Sequence, residues 1–174
     1  VWGQQYGLEV VNWFAEGDEP RYETPSFRRS NAWDATRREV KAVREGVGIN
    51  EVHNFGKYLV TGPGARDWLD RIMAGRIPAP GRVSLMPMLS PAGRLWGDFT
   101  VSCLNEQTFQ LTASYGAQAF HMRWFEMNEA PGVRVENVSD RLNGFQVAGP
   151  RARDVLAACS RDNVADLRFM DLRH

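Results

Sequence analysis

The sequence predicts a mixed α+β fold in which antiparallel strand pairing dominates and helices flank the sheets. Segments with apolar residues at helical spacing are interspersed with short strand-like segments along the 174 residues. Many links between the strand-like segments are too short for the helical crossover that parallel pairing requires. The length corresponds to about one domain, which can bury roughly 70% of the surface that the unfolded chain exposes.

Residues 1–30 are predicted to form an irregular arm or linker. Turn residues without periodicity occupy positions 16–20 and 23–26. The same stretch holds six aromatic residues, which is unusual for a solvated terminus. We therefore expect aromatic side chains of this arm to dock onto a folded body, namely those of Trp2, Tyr6, Trp13 and Phe14.

From residue 31 onward, helix and strand signals follow one another. Asn31 is predicted to cap a helix that contains Trp33 and stops at Gly46. Strands are predicted at residues 48–53, 57–61, 85–90, 96–104, 108–113, 133–138 and 145–148. The other helices are predicted at residues 65–73, 117–129 and 152–159. In the helix of residues 117–129, the expected core-facing stripe is formed by Phe120, Trp124 and Met127.

One pattern occurs twice, as VTGPGARDWL at 60–69 and VAGPRARDVL at 147–156. In both copies a strand ends in Gly-Pro and a helix follows, because Gly allows a sharp exit and Pro is tolerated at a helix start. The chain contains neither a G-x-x-x-x-G-K-[ST] nor a G-x-G-x-x-G motif. We interpret the repeat as structural and expect no anion to bind there.

Charge and hydropathy argue against two classes of partner. The chain has 21 basic and 21 acidic side chains and a formal net charge of zero, whereas binding through nucleic-acid phosphates needs a cationic excess on one face. No apolar run approaches the roughly 20 residues of a membrane-spanning helix, and no signal peptide is evident. We expect a soluble protein that binds a small-molecule substrate, with no nucleic acid and no membrane.

Cysteine and histidine usage indicates neither a metal site nor a disulfide framework. Cys103 and Cys159 lie far apart without a C-x-x-C motif, so a reducing, cytoplasmic compartment is expected. The only histidines are His53, His121 and His174, and their spacing matches no metal motif. We interpret all three as structural residues.

The stretch GRLWGDFTV at 93–101 contains the first candidate site residues. Asp98 stands at the head of an apolar strand, where partial desolvation would raise its pKa and favour proton transfer. The alternative is an aspartate that caps a turn or binds a backbone amide. Trp96 offers a flat face to a ring-shaped ligand, and its alternative is a place in the core.

Ser114 and Tyr115 form a second candidate position at a strand-to-helix corner. At such a corner a side chain and free helical amides can face a ligand. A capping serine beside a packed tyrosine explains the same residues equally well.

An ordered series of motifs runs through nearly the whole chain: VREGVGI at 43–49, FGKYLVTGPGA at 55–65, GRLWGDFTV at 93–101 and VAGPRA at 147–152. This series resembles the glycine-cleavage T-protein (aminomethyltransferase) family. Further matches at WF (13–14), PMLSP (87–91) and HMRW (121–124) bring it closer to the C-terminal folate-binding half of dimethylglycine and sarcosine dehydrogenases.

The resemblance implies a partial T-protein architecture around a tetrahydrofolate cavity, with Asp98 as the catalytic residue near the folate nitrogens. The family has two adjacent aspartates here, whereas this chain has Gly97 before Asp98. A cavity-lining tyrosine of the T-proteins aligns with Leu85, and an asparagine aligns with Ser114. These departures favour the demethylating branch. The implied folate-binding residues are Leu85, Trp96, Ser114 and Tyr115.

The resemblance also implies that residues 31–174 are the N-terminal part of a folate-binding domain that continues beyond His174. The family's site uses an acidic residue and an arginine further along, so the missing remainder of the polypeptide is the expected partner. FAD would bind only in a missing N-terminal domain, and the chain alone is expected to be inactive. The alternatives are a stand-alone folate-dependent aminomethyltransferase or demethylase and a non-catalytic T-protein-like module.

Overall fold

The computed structural model describes residues 1–5 and 7–174, and Tyr6 of the arm lies outside these described residues. Packing divides the chain into two compact units. Unit 1 contains Val1–Asn50 and Gln146–Val164, and unit 2 contains Glu51–Phe145 and Ala165–His174. The separation into an arm of residues 1–30 and a domain from residue 31 stays a prediction.

Nine strands and four α-helices follow one another in the described residues. The strands are β1 (Trp2–Gln5), β2 (Leu8–Val11), β3 (Gly48–Glu51), β4 (Phe55–Thr61), β5 (Arg82–Leu89), β6 (Leu95–Asn105), β7 (Thr108–Ser114), β8 (Arg134–Asn137) and β9 (Phe145–Ala148). The helices are α1 (Trp33–Glu45), α2 (Ala65–Ile72), α3 (Gln118–Met127) and α4 (Ala152–Cys159). None of the helices in the described part has the length and apolar composition needed to cross a membrane.

Unit 1 begins with two paired strands, so the expected irregular conformation is wrong for residues 2–5 and 8–11. Strands β1 and β2 pair antiparallel from Trp2 opposite Val11 to Gln5 opposite Leu8. Trp13 is only 3% exposed, as expected for a docked aromatic, whereas Trp2 and Phe14 are more than two-thirds exposed. Pairing of the two strands satisfies backbone groups locally, and it does so without burying Trp2.

The N-terminus of α1 is not capped by Asn31, and this prediction was wrong. The side-chain amide nitrogen of Asn31 instead donates to the carbonyl of Tyr22, and its side-chain oxygen accepts from the backbone amide of Thr24. Both distances are 2.8 Å. The Asn31 side chain therefore fixes the preceding loop, and Ala32 occupies the cap position without a side-chain hydrogen bond. An asparagine side chain binds whichever backbone groups lie near it, and the loop offers both a donor and an acceptor.

Unit 2 is built on a five-stranded antiparallel sheet with the order β5-β6-β7-β4-β8. Residues on one face alternate with residues on the other, because successive side chains of a strand point to opposite sides. One face carries the core together with α2 and α3. Its buried members include Tyr58, Phe99, Phe109, Leu111, Trp68, Leu69 and Phe125.

Helix α3 buries a different stripe from the predicted one. His121 and Phe125 face the core, whereas Phe120 and Met127 are exposed by 47% and 66%. Phe120 and Trp124 lie on the adjoining flank of the helix, where their rings stack on Trp96. Aromatic rings can thus be engaged at the edge of a core as well as inside it.

Both Gly-Pro segments form the same turn, which confirms the predicted exit from a strand into a helix. Gly62 and Gly149 have φ angles of 125° and 121°, a region that favours glycine. The amide of Ala65 donates to the Gly62 carbonyl at 3.0 Å, and the amide of Ala152 donates to the Gly149 carbonyl at 3.1 Å. In each copy the helix begins two residues after the proline.

Candidate functional site

The open face of the unit 2 sheet forms the floor of a cavity of about 610 Å³. The floor consists of half-buried polar side chains that alternate with the core residues of β6 and β7, namely Thr100, Gln110 and Thr112. Val52 and Phe55 contribute one part of its wall, and residues 142–145 contribute another. The size lies within the range of small-molecule sites in proteins, about 300–1,000 Å³.

Asp98 lines this cavity. It stands opposite Pro87 of the neighbouring strand β5, and its side chain is exposed. The expected partial desolvation is therefore not observed. Within the described residues the Asp98 carboxylate makes no hydrogen bond and no ion pair, so the alternative of a turn cap or an amide-binding aspartate is not observed either. The carboxylate is available to a ligand.

Leu85 and Ser114 line the same cavity as Asp98. Leu85 lies opposite Thr100, Thr100 lies opposite Thr112, and Thr112 lies opposite Lys57. These four residues form one row across β5, β6, β7 and β4. The antiparallel register thus places Leu85 in one row with hydroxyl groups of two other strands, and it places Ser114 opposite Phe55 of the cavity wall.

Trp96 and Tyr115 are not among the residues that line the cavity. The Trp96 ring stacks on Phe120 at 4.1 Å and on Trp124 at 4.3 Å between centroids, which agrees with the packing alternative. Tyr115 begins a short 3₁₀ turn (Tyr115–Ala117) and is half exposed. A ligand contact by either residue stays a prediction.

Lys57 is the cavity residue that sequence reasoning missed most clearly. It is only 5% exposed, and lysine is rarely buried to that degree. The available signal was a lysine between Gly56 and Tyr58 in an otherwise apolar strand, in a chain that has only one other lysine, Lys41. The second missed group is the segment of residues 142–145, whose place depends on tertiary structure.

The histidines lie away from the cavity lining. His53 lies beside Glu51, with 2.8 Å between Nδ1 and Oε1. His121 is buried in the core, where its Nδ1 shares a hydrogen bond of 3.0 Å with the Tyr58 hydroxyl. Burial lowers the pKa of His121, and a backbone hydrogen bond with Trp96 partly opposes this shift. Among residues 1–5 and 7–174, no group of three or more His, Cys, Asp or Glu side chains is arranged to hold a metal ion.

Comparisons with known proteins agree on one family. The chain is 32% identical over 174 residues to dimethylglycine dehydrogenase, mitochondrial, of Homo sapiens, covering 98% of the chain and 20% of that protein. It is 24% identical over 137 residues to the aminomethyltransferase of Natranaerobius thermophilus, covering 78% of the chain and 38% of that protein. The chain therefore spans about a fifth of the length of the dehydrogenase relative.

Structural comparison gives the same fold. The glycine cleavage system aminomethyltransferase T from Bartonella henselae matches with a TM-score of 0.69 and 20% identity, over 77% of the chain and 37% of that structure. The fold is accordingly a partial T-protein architecture, with antiparallel sheets and flanking helices. The family model described as the GCVT N-terminal domain matches residues 1–174. The chain belongs to the GCVT N-terminal domain family.

Proposed function

We propose that this chain is the folate-binding region of an FAD-dependent enzyme resembling dimethylglycine and sarcosine dehydrogenases. In this proposal, a one-carbon unit passes from an N-methyl amine to tetrahydrofolate in the unit 2 cavity. The observation that carries the proposal is the unpartnered carboxylate of Asp98 in a cavity of about 610 Å³. The identity to a dimethylglycine dehydrogenase over 98% of the chain supports the choice of enzyme class.

The cavity residues fit a ring-shaped ligand with polar edges. Phe55, Leu85 and Phe145 expose apolar surface in its lining, which suits the faces of a pterin ring. Thr100 and Thr112 provide hydroxyl groups that donate or accept hydrogen bonds at ring edges. Ligand sites commonly combine an apolar lining with a few polar groups of this kind.

Asp98 is the residue to which we assign the proton-transfer role. Tetrahydrofolate, when bound, supplies the nitrogen that accepts the one-carbon unit. A carboxylate oxygen of Asp98 would accept the hydrogen bond of an N–H group at the cavity and remove its proton as general base. Thr100, two residues along the same strand face, would orient the ligand edge beside this carboxylate.

FAD would be held by another part of the same polypeptide. The 174 residues contain no dinucleotide-binding fingerprint, and they span about a fifth of the dehydrogenase relative.

The compartment that we propose for the complete polypeptide is reducing and cytoplasm-like. The reason is that both cysteines, Cys103 and Cys159, are free thiols.

A stand-alone aminomethyltransferase is the second candidate, and the Natranaerobius thermophilus relative favours it. Gly97 argues against it. A Cβ at this position would crowd the ring of Phe99 and the Nε2 atom of His121, both of which are buried. The first aspartate of the T-protein pair therefore cannot be added here without rearranging the core.

The test is the substitution Asp98→Asn in the complete polypeptide. Removing a positioned general base is expected to slow one-carbon transfer by roughly 10²–10⁴-fold. Amine oxidation at a separate FAD site should continue, so formaldehyde should be released in place of methylene-tetrahydrofolate. The measurement is the ratio of these two products.

The matched control is Asp70→Asn, which changes an exposed carboxylate on α2 outside the cavity and should leave the ratio unchanged. An unchanged ratio in the Asp98→Asn variant would make Asp98 a structural residue. Titration with tetrahydrofolate separates the proposal from a non-catalytic module that binds no folate.

A further inference from the structure

Lys57 is a buried cation that the proposed proton transfer does not use. Taking an ammonium group out of water is costly unless its donors are satisfied. Lys57 is 5% exposed, whereas the other lysine, Lys41, lies on the exposed face of α1 and forms an ion pair with Glu45 at 3.8 Å. The chain thus keeps one of its two lysines at a position where a charge needs a specific environment.

The Lys57 ammonium is bound entirely by main-chain carbonyls. Its Nζ donates to the carbonyl oxygens of His53 at 2.5 Å, Phe55 at 3.1 Å and Ser139 at 3.3 Å. An ammonium group has three N–H donors, and each has an acceptor here. Within the described residues Lys57 has no carboxylate partner at ion-pair distance. All three donors are therefore engaged by the protein itself.

The three carbonyls belong to the two chain segments that lead into the cavity walls. His53 and Phe55 precede and begin β4, and Phe55 itself lines the cavity. Ser139 begins a 3₁₀ turn (Ser139–Arg141) that runs directly into residues 142–145.

Further hydrogen bonds join the same segments, including one from the Val138 amide to the Lys57 carbonyl at 2.8 Å. The Lys57 amide donates to Ser139 Oγ at 2.9 Å, and the Val52 amide donates to the Gly144 carbonyl at 2.8 Å. The Lys57 ammonium donates to carbonyls of both segments at the same time.

We propose that Lys57 is a positioning residue for the ligand of this cavity. Its ammonium fixes the segment of residues 53–55 against the segment of residues 139–145, so that Phe55 and Phe145 are held in place before the ligand binds. The inference rests on the proposed function, because it takes tetrahydrofolate as the ligand. Lysine suits the task better than arginine, since a compact group with three rotatable donors can converge on three carbonyls, whereas a planar guanidinium fork cannot.

The experiment uses the complete polypeptide with Lys57→Met, which keeps an unbranched side chain one atom shorter and removes its donors. A wall that binds the ligand equally in the ground state and the transition state affects KM and leaves kcat unchanged. We expect the KM for tetrahydrofolate to rise by about 10-fold to 100-fold, as for a misplaced binding group, with kcat changed less than about twofold. Backbone amides of residues 142–145 should exchange hydrogen faster, and those of the central strand β6 should not.

Three variants complete the design. Lys41→Met is the matched control and should have no effect on KM or on exchange. Lys57→Gln retains two N–H donors and should give an intermediate KM, and it decides the question if Lys57→Met fails to fold. Ser139→Ala keeps the ammonium and its carbonyls and should change KM less than Lys57→Met does.

The two proposals can fail separately. If tetrahydrofolate binds the wild type and the Lys57 variants with the same KM, Lys57 is not a positioning residue and the proposed function stands. If the wild type binds no tetrahydrofolate, the proposed function fails. Exchange at residues 142–145 then still decides whether Lys57 fixes the cavity wall, because unchanged exchange in Lys57→Met would overturn that inference.

Discussion

His121 and Tyr58 form a polar pair inside the core of unit 2. Both side chains are less than 2% exposed, and the Tyr58 hydroxyl and His121 Nδ1 are 3.0 Å apart. Burial raises the pKa of Tyr58 to about 12 and lowers the pKa of His121. Both shifts favour the neutral forms, because desolvation penalises charge. At neutral pH the pair is therefore an uncharged hydrogen bond inside an aromatic core.

This pair makes the stability of the chain dependent on pH. An unfolded histidine titrates near 6.5, and the folded pKa of His121 is lower. As the pH falls below about 6.5 the unfolded chain binds a proton first, so stability is lost between the unfolded and the folded pKa, by at most about 1.4 kcal/mol per pH unit. Urea unfolding of the wild type and of His121→Gln between pH 5 and pH 8 should show this slope only in the wild type. Parallel curves for the two proteins would assign the pH dependence to other groups.

The Gly-Pro turns show how one residue decides the geometry of an element boundary. Gly62 ends β4 with a φ of 125°, and a Cβ there would overlap the carbonyl oxygen of Gly132. Gly149 is in the same situation in unit 1, where a Cβ would overlap the carbonyl of Gly46. Each strand-to-helix turn thus depends on a backbone from elsewhere in its unit that approaches the glycine closely.

The substitution Gly62→Ala combines backbone strain with this overlap, so we expect the free energy of unfolding to fall by at least about 2 kcal/mol. Gly93→Ala is the matched control, because Gly93 also has a positive φ, 73°, but no described residue other than its two chain neighbours has an atom within 4 Å of its Cβ position. It should cost only about 1 kcal/mol, from strain alone. Chemical denaturation of the two variants measures the difference. Equal losses would mean that the overlap is relieved by relaxation and contributes nothing.

Most elements of the fold could be predicted because their signals are local. The helix starts after Pro63 and Pro150 depend on neighbouring residues and were predicted to the residue. The buried face of α3 was not predicted correctly. His121 is buried there because its ring finds a hydrogen-bond partner in Tyr58 of β4, which is distant in the sequence. Asn31 was misassigned for a similar reason, since its partners lie 7 and 9 residues away in a loop.

In the candidate site, too, some residues could be predicted from the sequence and others depend on long-range contacts. Asp98, Leu85 and Ser114 were predicted from the resemblance to the T-protein family, and all three line one cavity. Lys57 was missed because its burial depends on contacts with Ser139, which lies 82 residues further along the chain. No pattern within a short window of sequence encodes such a contact.

At the scale of the whole molecule, the chain exposes large apolar side chains in its first thirty residues, although docking onto a folded body was expected for Trp2 and Phe14. Trp2, Leu8, Phe14 and Phe27 are each at least two-thirds exposed. Several large apolar side chains exposed in one short stretch commonly mark an interaction surface. The chain spans about a fifth of its dehydrogenase relative. We therefore expect the rest of the polypeptide to be the partner that covers these side chains.

The 174 residues alone should therefore bind tetrahydrofolate weakly or not at all, and they should lack turnover. The reason is that the resemblance places an acidic residue and an arginine of the folate site beyond His174. Calorimetric titration of the isolated chain, beside the complete polypeptide as the positive control, measures this directly. Micromolar binding by the isolated chain would show that the pocket is complete without those residues.

Strand β4 lies inside the unit 2 sheet although it is the first strand of that sheet in the sequence. Its partners follow much later, since Tyr58 pairs with Leu111 of β7 and with Asn137 of β8. During synthesis at about 5–20 residues per second, both edges of β4 remain unpaired for roughly 3–10 seconds before β7 is available. The meander of β5, β6 and β7 can form from near neighbours, whereas the insertion of β4 must wait for long-range loop closure. The nascent chain accordingly presents an open apolar strand edge, which a chaperone can bind and a neighbouring nascent chain can pair with.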